Sequence, residues 1–103
     1  MTDKYIEELR DVIRKLHGVD SRHLESLPVK DVFNGQVVWD GVVEVFELVG
    51  HKAASKVYAW RHETGNPKKP IRHVTILHRG IVRSPLVAVR VSIVREYDIA
   101  EEG

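Results

Sequence analysis

Apolar residues recur at three- and four-residue spacing from the start of the chain, at Ile6, Leu9, Val12, Ile13 and Leu16. That spacing predicts one helical stripe over residues 2–17. Thr2 or Asp3 can cap its start, Arg14, Lys15 and His17 suit the negative end of its dipole, and Gly18 supplies a stop. From Val42 the pattern becomes extended. Residues 42–49 put Val43, Val45, Glu47 and Val49 on one face and Val42, Glu44, Phe46 and Leu48 on the other. Both faces are largely apolar, the mark of a strand covered on both sides or lying against a partner. After a compact Gly50-His51 corner comes a second strand, 56–63, with Lys56, Tyr58, Trp60 and His62 on one face and Val57, Ala59, Arg61 and Glu63 on the other. A polar turn at 64–70 leads to a third strand over 71–81, where Val74 and Ile76 face away from His73, Thr75, Leu77 and Arg79.

Two segments are ambiguous. Residues 18–41 hold two turn signals, Asn34-Gly35 and Asp40-Gly41, either of which can close a hairpin. Residues 29–33 and 36–39 then read as short edge strands or an ordered loop, with Pro28 excluding a central strand there. Val32, Phe33 and Trp39 are expected to close one end of the core. Beyond them, Val87, Val89, Val91 and Ile93 alternate as a strand would, yet Leu86, Val89, Ile93, Tyr97 and Ala100 fit a helical stripe. Ser84-Pro85 decides for a helix over 84–97, being a hydroxyl cap followed by proline at the first helical position. The expected architecture is a single α+β domain over residues 1–103. It has an antiparallel sheet of three to five strands, with an N-terminal and a C-terminal helix packed on one face.

Composition narrows the chemistry more than it names it. The 103 residues suffice for one modest core. There is no cysteine, which removes disulfides, thiolate metal sites and a cysteine nucleophile. The charged start is not a secretory signal, and no apolar run approaches a membrane span, so the expected location is the cytoplasm, with no membrane partner. A net charge of +1 conceals a split: residues 1–50 carry −4, residues 51–97 carry +8, and the tail carries −3. Arg61, Lys68, Lys69, His73, Arg79 and Arg83 are therefore candidates for binding a ligand or the phosphates of RNA or DNA through residues 56–83. The ordinary alternative is that the acidic first half neutralises this segment. Lys56, Tyr58, Trp60 and His62 resemble a base-stacking platform, although aromatics of that size also make small cores.

No nucleophile elbow, phosphate loop or dinucleotide fingerprint occurs. His62, Glu63, His73 and His78 lack metal-ligand spacing, and no cofactor is expected. His51 at the central corner is the one candidate catalytic group, with Tyr58 or Glu44 as its helper; the alternative is a histidine bonded to loop backbone. If both helices lie on one face, Val43, Val45, Val57 and Leu77 are left on the other, an apolar patch large enough to imply a homodimer. The first expectation is thus a non-catalytic binding or protein-interaction module, then a nucleic-acid-binding domain, then a small enzyme.

Val38, Trp39, Gly41, Val43, Val45, Phe46, Leu48, Gly50, His51 and Ala54, then Tyr58-Ala59-Trp60, then Ser84, Pro85, Ala88, Val89, Arg90, Ile93 and Val94 form a recurrent pattern. It resembles a family of short bacterial proteins of unassigned function, over residues 23–96. Lys52 and Ala53 depart from that family's proline and lysine. The resemblance implies a helix after Ser84-Pro85 and no particular activity. The element order also echoes double-stranded-RNA-binding domains, but Arg83 stands alone where such domains carry a lysine cluster.

Overall fold

The computed structural model describes the backbone of residues 3–102 and the side chains of residues 4–94. The side chains of Thr2 and Asp3, suggested as the cap, and those of Tyr97 and Ala100 lie outside the described residues. Helix α1 spans Asp3–His17 and ends where Gly18, at φ 73°, returns its N–H to the Arg14 carbonyl at 2.9 Å. Glycine enters this left-handed conformation without a Cβ penalty, and the bond satisfies a carbonyl at the helix end. Four strands follow: β1 (Ser21–Phe33), β2 (Gln36–Leu48), β3 (Lys56–Glu63) and β4 (Ile71–Leu77). They form one antiparallel sheet in the order β1-β2-β3-β4. Helix α2 spans Pro85–Glu102. Its start is the anticipated cap, with Ser84 Oγ accepting the Val87 N–H at 3.3 Å.

The α+β class, the antiparallel sheet and the two terminal helices agree with the sequence reading. The sharing of one face by both helices does not. Register puts Val45 opposite Tyr58 and Phe46 opposite Val57, so Phe46 and Tyr58 point to different faces. One face carries Val43, Val45, Tyr58, Trp60, Val74 and Ile76, which pack with Ala88 and Val89 of α2. The other carries Phe46, Leu48, Val57 and Ala59, which pack with Leu9 and Ile13 of α1. The sheet is the middle layer of three.

The long hairpin is the second departure. β1 begins at Ser21, well before the short strand expected at 29–33, and Asn34-Gly35 alone makes the turn, with φ 51° and 77°. Two positive φ values in a two-residue loop match the twist of the flanking strands. Gly41 lies inside β2, where a Cβ would come within 3.0 Å of the Trp39 ring. Pro28 is accommodated because β1 is the edge strand.

Candidate functional site

β2 and β3 pair only from Glu44↔Ala59 to Glu47↔Lys56, with Leu48 N–H bonding to Ser55 O at the corner. Beyond Glu44 the two strands part. Tyr5 of α1 enters the gap, and its hydroxyl accepts the Arg61 N–H at 3.0 Å, replacing a bond the ladder would have supplied. Burial pushes that hydroxyl above the usual tyrosine range. On the α2 side, Trp39 stands edge-on to Trp60 at 5.6 Å and closes the split. The outer half of the β1–β2 hairpin therefore runs on without β3 beside it.

This blade is clad on one side only. Toward α2 it buries Val29 and Asp31, and Asp31 receives both Arg90 Nε (3.2 Å) and Arg90 Nη2 (3.1 Å). Two parallel charge-assisted bonds fix the blade's angle to α2. On the other side α1 does not extend over it. Alternation places the cross-strand pairs Pro28↔Val42, Lys30↔Asp40 and Val32↔Val37 there, all exposed. Val32 is 50% exposed, Val37 52% and Phe33, at the tip, 67%. Trp39 packs against the core as expected, but Val32 and Phe33 do not close it. Sequence reasoning missed this strip; its signal was the valine pair either side of Asn34-Gly35.

The candidate interface residues lie elsewhere. Val43 and Val45 are buried under α2, Val57 under α1, and Leu77 packs against the α1 cluster. The patch that suggested a homodimer is two separate intramolecular cores, because Val43 and Val57 belong to opposite faces.

The basic candidates do not form one surface. Arg61 and His73 lie under the first turns of α1, where Glu8 Oε2 meets His73 Nε2 at 2.7 Å and Arg61 Nη1 at 3.7 Å. The Arg61 guanidinium also covers the Tyr5 ring, 5.5 Å from its centroid. Lys68 and Lys69 occupy the β3–β4 turn, where Asn66 Oδ1 accepts the Lys68 N–H at 2.9 Å. Arg79 and Arg83 sit past the far end of β4, about 20 Å away for a seven-residue strand. Tyr58 and Trp60 are core, not a stacking platform.

His51 is committed to its own loop. Its Nδ1 accepts the Ala53 N–H (3.0 Å) and the Ala54 N–H (3.1 Å), which puts the ring hydrogen on Nε2. Neither suggested helper joins it. Tyr58 OH meets His78 Nδ1 at 2.7 Å on the α2 side. Glu44, 5% exposed on the α1 side, takes His23 Nε2 at 2.9 Å and the Ser26 hydroxyl. Ser26, His23 and Glu44 have the composition of a hydrolytic triad but not its wiring. Both serine and carboxylate lie on the same ring nitrogen, so the histidine cannot relay a proton between them. Among the described residues no group of three or more histidine or acidic side chains is placed to hold a metal, and no helix is long and apolar enough to cross a membrane. Compared with protein families, with curated proteins and with solved structures, the chain matches none.

Proposed function

We propose that this chain is a non-catalytic interaction module that binds through the bare face of the β1–β2 blade, and that its partner there is a second copy of itself. The observation carrying this reading is the exposed strip Pro28, Val32, Val37 and Val42 around the Lys30↔Asp40 pair. The solvent-facing side of an antiparallel sheet is ordinarily polar, whereas this one concentrates valine.

The strip is self-complementary. A two-fold axis parallel to the strands and midway between them lays Lys30 of each copy over Asp40 of the other, with Pro28 over Val42 and Val32 over Val37. An axis across the strands would set lysine on lysine, so charge selects the first. Six side chains per copy are far fewer than the about 20–30 residues a side of a standard interface, so the dimer is expected to be weak and to form only at high concentration.

Sedimentation equilibrium up to millimolar concentration tests this. The native chain should dimerise, and Val37→Lys should stay monomeric with an unchanged fold. A native chain that remains monomeric at millimolar concentration overturns self-association. Salt-sensitive binding of an RNA or DNA oligonucleotide would overturn the non-nucleic-acid reading.

A further inference from the structure

A cavity of about 500 Å³ lies at the opposite border of the sheet, and its walls identify what it is shaped for. It touches Thr75, Ile76 and Leu77, three consecutive residues of β4. Consecutive strand residues point to opposite faces, so a cavity that meets all three lies against the strand's edge, not over either face. Ile76 and Val82 belong to the α2 side, whereas Leu77 and His17 belong to the α1 side. Among the described residues, no strand lies beyond β4.

The ladder decides which backbone groups of that edge face outward. His78 N–H bonds to Lys56 O at 2.9 Å, which fixes the alternation along the β3–β4 ladder. Even-numbered residues of β4 turn their N–H and C=O toward β3, so His73 and Thr75 turn theirs outward. Beside this edge stand an apolar wall of Ile81, Val82 and Val91, with Ile81 79% exposed, and the exposed side chain of Arg79. Arg79 is the arginine on the cavity wall, and burial, then His51, hold the neighbouring His17 below the usual histidine range.

We infer that β4 and this cavity form a binding site for an extended acidic peptide, which adds to the sheet as a fifth strand. Its backbone pairs with the outward groups of His73 and Thr75, one apolar side chain enters the cavity against Ile81 and Val82, and a neighbouring carboxylate reaches Arg79. This is strand addition at a sheet edge, in which main-chain bonds supply affinity and side-chain pockets supply specificity. It is independent of the blade, which is on the other border of the sheet.

The probe is acetyl-Glu-Val-Glu-Val-Glu-amide titrated into the labelled full chain, read by amide NMR. Saturable shifts should centre on residues 73–82 and leave residues 28–42 still. Thr75→Pro removes an outward N–H without touching a bond to β3, and it should weaken binding at least tenfold. Should that variant fail to fold, the peptide methylated at alternate amide nitrogens must lose the same tenfold against the native chain. Arg79→Glu should reverse the preference toward the lysine analogue, acetyl-Lys-Val-Lys-Val-Lys-amide. No saturable shift at millimolar peptide, shifts centred on the blade, or equal binding of the methylated peptide would each overturn the proposal. So would concentration-dependent shifts at 73–82 without peptide, which would mean that two copies pair through β4.

Discussion

The inner and outer halves of the β1–β2 hairpin are built from the same kinds of residue and meet different fates. In the inner half, Phe46 and Leu48 lie under α1 while Val43 and Val45 lie under α2. In the outer half, Val29 and Trp39 are sheltered by α2, but Val32, Val37 and Val42 face solvent. Valine is common to both halves. What differs is the reach of α1, whose Tyr5 stands at the point where β2 and β3 part. Strand composition therefore reports capacity for burial; the neighbouring layer determines whether burial occurs.

The contrast is broken most severely at the centre. Phe46→Ala should cost about 3–5 kcal/mol, since a fully buried ring leaves a cavity under α1. Phe33→Ser at the blade tip should stay within about 0.5 kcal/mol in the same urea titration. Comparable losses at both positions would mean that the tip is buried in solution.

Next in size is Arg90→Met, which leaves the Asp31 carboxylate buried beneath α2 without its partner. The melting temperature should fall, and the blade amides around Asp31 should exchange faster than those of the inner hairpin. Adding Asp31→Asn should restore part of the loss, because the uncompensated charge is then gone.

A smaller effect tests the parting of the strands. Tyr5→Phe deprives the Arg61 N–H of its acceptor, at about 0.5–1.5 kcal/mol. Arg61 amide exchange should rise while the Glu44–Ala59 pair stays protected. The mildest effect is from pH. His17 is shifted down by burial in the folded chain, so the unfolded chain binds its proton first as pH falls. Its contribution to stability is intact above the unfolded value near ~6.5 and declines as pH drops through it. His17→Gln should flatten part of that decline.

Local signals were readable where the chemistry is local. The apolar stripe of α1, the Gly18 stop and the Ser84-Pro85 cap each act within a few residues and stand where expected, and of the two turn signals left open Asn34-Gly35 makes the turn. β1 was largely invisible, because an edge strand buries only Ser21, Val29 and Asp31 out of thirteen residues and so shows little alternation. The candidate sites were legible as residue types but not as groupings. Glu8 is far from Arg61 and His73 in sequence, and no spacing rule joins them.

The sequence by itself determined the two helices, the inner half of β2 with β3 and β4, and the presence of more apolar strand surface than one helix can cover. Tertiary structure alone decided which face each helix took and which valines stayed bare. The reason is parity: the corner at residues 49–55 aligns Phe46, not Val45, with Val57, and one residue of slip there would send every β3 side chain to the opposite face. Nothing in the composition of β2 or β3 encodes that choice, since both faces of each are apolar enough to serve as core.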